Sequence, residues 1–177
     1  RAFLKEFTSF LEKRGDKNRT YFHISDEPLE AHLESYKKAR AVVADLLEDY
    51  IIMDALSSYE FYKQGVVKTP IPCNSHVKPF LENKVPNLWT YYCCGQWQNV
   101  SNRFISMPSY RNRVLGLQLY MNDMEAFLHW GFNFYNSFLS RREISPYGNT
   151  DCDIHYPAGD AFIVYPDTPG GGCRKSI

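Results

Sequence analysis

Two adjacent carboxylates, Asp26 and Glu27, stand between the β-branched and aromatic segment "TYFHIS" and Pro28. Burying two neighbouring acids is costly, so the pair is either a solvated helix cap or a catalytic pair. A cap requires a helix that begins at Pro28, whose amino end would attract the two negative charges. The residue types and their spacing leave both interpretations open.

As a catalytic pair, adjacent acids suit one form of glycoside cleavage better than another. An inverting hydrolase holds a water molecule between carboxyls about 6.5–9.5 Å apart, which does not suit neighbouring residues. In substrate-assisted cleavage the sugar's own 2-acetamido oxygen is the nucleophile, one acid protonates the leaving oxygen, and the other holds the acetamido N–H. Successive strand residues face opposite sides, so Asp26 and Glu27 reach one ligand only if the strand ends there and the chain turns at Pro28.

The elements that must position these acids are predicted from short apolar runs that alternate with helical patterns. Strands are predicted at "TYFHIS", "IIMDAL", "NLWTYYCC" and "AFLHWGF". A short extended piece is predicted at "PIPCNS", and a short strand or an extended end at "AFIVYP". Helical spacing covers residues 3–11, with a stop at Gly15, and residues 29–49, 59–66, 77–83 and 108–124. The segment "DTPGGGCRKS" is predicted to be a loop because of its Pro and Gly content.

This alternation predicts a parallel sheet covered by helices. In such folds ligands bind at the carboxyl ends of the strands, and here those ends carry polar and aromatic residues. A complete (β/α)8 barrel takes about 250 residues. We therefore predict an α/β fold that is the C-terminal portion of a (β/α)8 TIM-type barrel, with parallel strands alternating with helices. Residues 1–177 are expected to form a single, truncated domain whose parent protein supplies the N-terminal barrel half.

Composition narrows the class of partner. Lys plus Arg and Asp plus Glu number 20 each, which argues against nucleic acid and against an anionic membrane surface. Aromatic residues make up 16% of the chain, and this suits either a Tyr-rich core or a sugar ligand with apolar faces and hydroxyls. The five cysteines lack zinc-site spacing, so we expect no metal and no cofactor. Reduced thiols favour a cytosolic setting slightly, without excluding secretion.

Six blocks in this order resemble the catalytic domain of glycoside hydrolase family 123 and related bacterial domains of unknown function. They are "HISDEP", "DALSSYEFY", "WTYYCC", "VSNRFISMPSYRNRVLGLQLY", "FLHWGFNFYNS" and "GDAFIVYP". Their co-occurrence is more specific than any one block, and the resemblance runs from about Thr20 to the last residue. It implies a β-N-acetylgalactosaminidase on a (β/α)8 barrel that works by substrate-assisted, retaining hydrolysis.

The resemblance also implies roles for single residues. Glu27 corresponds to the general acid/base, and Asp26 to the residue that orients and polarises the 2-acetamido group. Tyr91 or Tyr92, with Tyr92 preferred, is expected to donate a hydrogen bond to the acetamido oxygen. Trp130 is expected to be the floor under the pyranose ring, with core packing as its alternative.

Three further positions have structural alternatives that the sequence leaves open. Asn133 either reaches sugar hydroxyls or hydrogen-bonds within its loop. Asp54 either binds hydroxyls or pairs with Arg103 or Arg111. Arg103 either binds hydroxyls or ties its loop to an acid.

The leading prediction is hydrolysis of a glycan or amino-sugar glycoside that ends in a β-linked N-acetylhexosamine, with N-acetylgalactosamine first. The alternative is a non-catalytic carbohydrate-binding or structural domain derived from the same fold. Because barrel strands are expected to be missing, the isolated fragment need not be active.

Overall fold

A computed structural model describes residues 1–167 and the backbone of residues 172–175. The chain divides into two compact units. The first contains residues 1–91 and 124–126, and the second contains residues 92–123 and the described part of 127–177. The single domain expected from the sequence stays a prediction.

The first unit opens with the predicted helix α1, Ala2–Arg14. Gly15 ends it in the left-handed conformation (φ 73°), and its amide donates to the carbonyls of Glu12 and Leu11. Glycine adopts this conformation without steric cost, which confirms the stop predicted at this residue. Leu11 is buried in a cluster with Leu47 and partly buried neighbours.

A parallel sheet forms the centre of this unit. Its strands are β1 (Tyr21–Phe22), β2 (Ile51–Ala55) and β3 (Thr69–Ile71), in that order. Tyr21 pairs with Ile51, and Met53 pairs with Thr69, so both ladders are parallel. Strand β4 (Trp89–Tyr91) follows next to β3 through a parallel bridge between Cys73 and Tyr91. The predicted α/β fold with parallel strands and helices is therefore confirmed, whereas its assignment to a portion of a (β/α)8 barrel stays a prediction.

Three helices connect these strands, at the predicted places: α2 (Leu33–Leu47), α3 (Tyr59–Lys63) and α4 (Lys78–Glu82). The side chains of Tyr36 from α2 and Phe61 from α3 are buried and meet edge to face, with ring centroids 5.4 Å apart. Phe80 from α4 is buried in a separate cluster with Val85 and Leu88. Together these clusters supply the apolar burial that holds the helices on the sheet.

The start of the second helical segment differs from the prediction. A 3-10 turn, Glu30–His32, precedes α2, and its N-cap residue is Leu29 rather than either acid. The Leu29 amide donates to Nδ1 of His32 across 3.1 Å, and neither acid makes a capping hydrogen bond. The helix-cap interpretation of Asp26 and Glu27 is therefore wrong, because the chain runs through Pro28 and Leu29 before any helical hydrogen bond forms.

The second unit contains α5 (Tyr110–Met121) and most of β5 (Ala126–Leu128), followed by a 3-10 turn at Phe138–Ser140. Strand β6 (Val164–Asp167) pairs antiparallel with β7 (Gly172–Lys175). The loop predicted for "DTPGGGCRKS" is thus wrong for Asp167 and for residues 172–175, while residues 168–171 and 176 lie outside the described part. No helix among the described residues is long and apolar enough to cross a bilayer.

Candidate active site

The acid pair lies on a bend that the first strand reaches after its ladder has ended. Pairing between β1 and β2 stops at Phe22 and Ile52, and the chain bends at Asp26 and Glu27. The Glu27 backbone is left-handed (φ 42°), and its amide donates to the Ala55 carbonyl across 2.8 Å. Other non-glycine residues also have positive φ, so this conformation alone does not mark a functional site. Both acid side chains are exposed.

Tyr91 holds the Glu27 side chain. Its hydroxyl donates a hydrogen bond to Oε1 of Glu27, which connects the end of β4 to the bend. Burial raises the pKa of Tyr91, and the hydrogen bond to the Glu27 carboxylate raises it further, while a hydrogen bond with Ser57 opposes the rise. The phenol therefore stays protonated and remains a donor to Glu27 at ordinary pH.

The carboxyl end of β3 adds a polar cluster next to Tyr91. The sulfur of Cys73 lies 3.1 Å from the Ser57 hydroxyl and 3.1 Å from Nδ1 of His76. The Asn74 amide donates to the Tyr91 carbonyl at 2.8 Å. These contacts connect the carboxyl ends of β2, β3 and β4, at the same edge of the sheet as the bend. A cavity of about 460 Å³ lies at the opposite, amino ends of β2 and β3, lined in part by Ile51 and Thr69.

Asp26 differs from Glu27 in having no hydrogen-bond partner for its side chain among the described residues. Its side chain is exposed, and no other described residue forms a hydrogen bond or ion pair with it. An exposed carboxylate of this kind can accept a hydrogen bond from a ligand without breaking an internal contact. Among the described residues, no three His, Cys, Asp or Glu side chains form a group that could hold a metal ion.

Asp54 is in the interior and its carboxylate is fully engaged. It is 0% exposed, and its Oδ1 accepts the amide N–H groups of Ile24 and Ser25 at 2.8 and 3.0 Å. The Tyr36 hydroxyl donates to Oδ2. The two roles predicted for Asp54, hydroxyl binding and pairing with an arginine, disagree with these contacts. The carboxylate faces backbone amides and a phenol instead, and Nδ1 of His23 lies 3.7 Å from its Oδ1.

The remaining predicted residues belong to the second unit. Tyr92 is 2% exposed, and its hydroxyl donates to Oδ1 of Asn112 across 3.3 Å. Burial raises the pKa of Tyr92 to about 12. Its ring packs against Phe127, with centroids 4.5 Å apart. Of the two candidate tyrosines, Tyr91 is therefore the one that contacts an acid of the pair.

Trp130 presents a half-exposed indole on an aromatic base. The side chain is 41% exposed, and its ring lies 4.8 Å from that of Tyr156 and 5.4 Å from that of Phe134, measured between centroids. Its Nε1–H donates to Oδ2 of Asp160 at 3.2 Å. Asp160 is 0% exposed, and burial raises its pKa to about 6. The indole is thus held in one orientation while part of its face stays accessible.

Asn133 and Arg103 differ in accessibility. Asn133 is exposed, and its backbone forms an antiparallel bridge with Phe162. Arg103 is partly buried and donates from Nη2 to the Phe162 carbonyl. Burial lowers the pKa of Arg103. Arg103 thus ties its loop to a backbone carbonyl, whereas the sequence predicted a contact either with sugar hydroxyls or with an acid.

Sequence reasoning missed two contributors to this site. Tyr36 lies within the helix predicted over residues 29–49, and its hydroxyl reaches Asp54, which helical spacing does not show. The Ala55 carbonyl accepts the Glu27 amide at the bend, and no pattern of side chains predicts this backbone contact. The run "IIMDAL" offered one signal, an acid within an apolar strand, but not the direction in which it points.

Comparison with known proteins assigns the family. A family model described as glycoside hydrolase 123, catalytic domain, matches residues 1–177. The chain belongs to glycoside hydrolase family 123. No curated protein sequence matches it.

A solved structure supports the family 123 fold. The chain is similar to a family 123 glycoside hydrolase from Clostridium perfringens, a structure described in terms of glycolipid glycan hydrolysis, with a TM-score of 0.67 and 19% identity. The match covers 98% of this chain and 31% of that one, so the chain spans about a third of the neighbour's length. At this identity the likeness concerns the fold, and family membership supports a glycoside hydrolase.

Proposed function

We propose that the protein containing this family 123 chain hydrolyses a terminal β-linked N-acetylhexosamine, N-acetylgalactosamine first, by substrate-assisted catalysis with retention. The observation that carries the proposal is the exposed acid pair at the carboxyl end of a parallel sheet, with Glu27 held by Tyr91. The glycan of a glycolipid is one substrate class to test, because the similar Clostridium perfringens structure is described in those terms.

The proposed reaction begins with attack of the 2-acetamido oxygen on the anomeric carbon. The bond from that carbon to the leaving oxygen breaks, and Glu27 gives its proton to the leaving oxygen. Asp26 accepts a hydrogen bond from the acetamido N–H and stabilises the positive charge of the oxazolinium intermediate. Water then attacks the anomeric carbon from the vacated side, Glu27 accepts a proton from it, and the acetamido group is restored.

Glu27→Gln in the full-length protein tests this assignment. The amide cannot donate a proton as a carboxylic acid does, so hydrolysis of phenyl β-N-acetylgalactosaminide should fall by about 10²–10⁴-fold. Glu30→Gln is a matched control, since Glu30 is an exposed acid three residues along the chain, in the following 3-10 turn. Unchanged turnover in Glu27→Gln would refute the proposed function.

The alternative is a carbohydrate-binding domain without turnover. The half-exposed, oriented indole of Trp130 favours it, because an accessible aromatic face can stack on a sugar ring without any catalytic acid. Measurements on the wild type and on Glu27→Gln also distinguish the two functions. A glycan that raises the melting temperature while wild type releases no sugar supports binding alone, whereas release that depends on Glu27 supports hydrolysis.

A further inference from the structure

The geometry points to Asp54 as a positioning residue: its buried carboxylate replaces the end of the β1–β2 ladder and holds the bend that carries Glu27. This inference rests on the proposed function, since it assigns Asp54 a purpose in presenting a general acid. It differs from the hydroxyl-binding role expected from the sequence, because a side chain that is 0% exposed cannot reach a sugar.

The first step is the way the ladder ends. Parallel pairing joins Tyr21 with Ile51 and Phe22 with Ile52, and there it stops, although β2 continues to Ala55. Backbone N–H groups that leave a ladder near the interior need another acceptor. The amides of Ile24 and Ser25, two and three residues after Phe22, find it in the Asp54 carboxylate.

The second step is how the bend is fixed at its far side. The Glu27 amide donates to the carbonyl of Ala55, the residue after Asp54, across 2.8 Å. Two consecutive residues of β2 thus hold three amides of one four-residue stretch, two through a side chain and one through the main chain. The left-handed backbone of Glu27 (φ 42°) is strained and persists only where such contacts determine it.

The third step concerns Tyr36, which anchors the carboxylate itself. Its hydroxyl donates to Oδ2 of Asp54, and its ring is 2% exposed and packs edge to face on Phe61. A buried carboxylate is costly unless donors satisfy it, and here three internal donors do so. Ile24 packs against the same apolar cluster, so the segment is held by its side chain as well as its amides.

These contacts predict a specific kinetic signature. General-acid assistance matters most when the leaving group is a poor one, because a dinitrophenolate departs with little help and a simple phenolate does not. Displacing Glu27 should therefore slow the phenyl glycoside and spare the dinitrophenyl glycoside. A loss of folded protein instead lowers both rates by the same factor.

The experiment uses Asp54→Asn and Tyr36→Phe in the full-length protein. Asp54→Asn keeps the shape and one acceptor oxygen, and Tyr36→Phe removes one donor while keeping the ring on Phe61. We expect kcat for phenyl β-N-acetylgalactosaminide to fall about 10²-fold in Asp54→Asn and about 10-fold in Tyr36→Phe, with less than about threefold loss on the dinitrophenyl substrate. Phe80→Leu, a change in a separate core cluster, gives the pattern of simple destabilisation.

Equal losses on both substrates, matching Phe80→Leu, or no loss in either variant, would overturn the positioning role. Glu27→Gln is measured on the same pair of substrates. If Glu27→Gln does not slow the phenyl glycoside, the proposed function fails. If it does so while the Asp54 and Tyr36 variants scale both substrates equally, the inference about Asp54 fails alone.

Discussion

Gly131, next to Trp130, lies close to the backbone of Ala161, and a single methyl group at this position should disrupt the packing there. A Cβ at this position would lie 2.5 Å from the Ala161 oxygen, 2.8 Å from its carbonyl carbon and 2.9 Å from its Cα. All three atoms belong to the backbone, so no side-chain rotation relieves the contact. The Ala161 oxygen must retreat by about 0.9 Å to reach an ordinary contact of 3.4 Å.

The energetic cost follows from what that oxygen does. It accepts the Phe134 amide at 3.2 Å, and Ala161 is 0% exposed, so the displacement disturbs both a hydrogen bond and close packing. Overpacking costs about 1–3 kcal/mol and a weakened buried hydrogen bond about 1 kcal/mol, which gives about 2–4 kcal/mol for Gly131→Ala. For a domain of this size the melting temperature should fall by about 5–15 °C.

Scanning calorimetry of the full-length protein measures this effect, with Gly148→Ala as the matched control. A Cβ at Gly148 meets nothing within 4 Å, so that variant should be unchanged or slightly stabilised. Gly131→Ala should also weaken sugar binding, because separating residue 131 from Ala161 pulls Trp130 from Asp160. Equal melting temperatures for the two alanine variants would refute the reasoning.

Two further predictions concern the Tyr91 hydroxyl, which donates to Glu27, and the buried carboxyl of Asp160, which accepts from Trp130. Tyr91→Phe should lower kcat/KM by about 10–100-fold, since a hydrogen bond to a carboxylate contributes about 1.5–3 kcal/mol. The control variant Tyr62→Phe on α3 should leave kcat/KM unchanged. Equal kcat/KM values for the two variants would contradict the role of Tyr91. Burial raises the pKa of Asp160 from 3.8 to about 6, so the folded protein holds a proton that the unfolded chain releases in this range. The contribution of Asp160 to stability should therefore decline as pH rises from about 4 to 6, by up to about 3 kcal/mol, while His129, whose pKa burial lowers to about 4, contributes in the opposite direction. The free energy of unfolding of the wild type relative to Asp160→Asn, in which the Asp160 contribution is absent, should therefore decline over this range. Urea unfolding of both proteins at several pH values measures this difference, and a difference that does not change with pH would argue against this assignment.

Local patterns predicted the order of strands and helices because each depends on residues close in sequence. The stop at Gly15 and the helices α1 to α5 follow from apolar periodicity and turn residues, and their bounds differ by a few residues. The start of α5 illustrates the limit. Pro108 was expected at the first helical position, yet the helix begins at Tyr110. Capping preferences are weak, and tertiary contacts shift helix ends.

The choice between neighbouring tyrosines shows why site residues are harder to predict than elements. Adjacent strand residues point to opposite faces, so the sequence identifies "YY" without saying which residue faces the acid pair. The strand register decides it: Tyr91 bridges to Cys73 and contacts Glu27, whereas Tyr92 donates to Asn112. Asp54 was misread for a related reason, since burial depends on where the neighbouring ladder stops.

The sequence by itself determined the chemical character of this protein: two adjacent acids before a proline at a strand end, within a strand–helix alternation that belongs to family 123. Only the tertiary structure decided that these acids are no helix cap, and that the bend carrying them is held by Asp54, Ala55 and Tyr91. The physical reason is the distance along the chain over which each kind of interaction acts. Propensity and periodicity act over a few residues, whereas the hydrogen bonds to Glu27 come from residues 28 and 64 positions away along the chain.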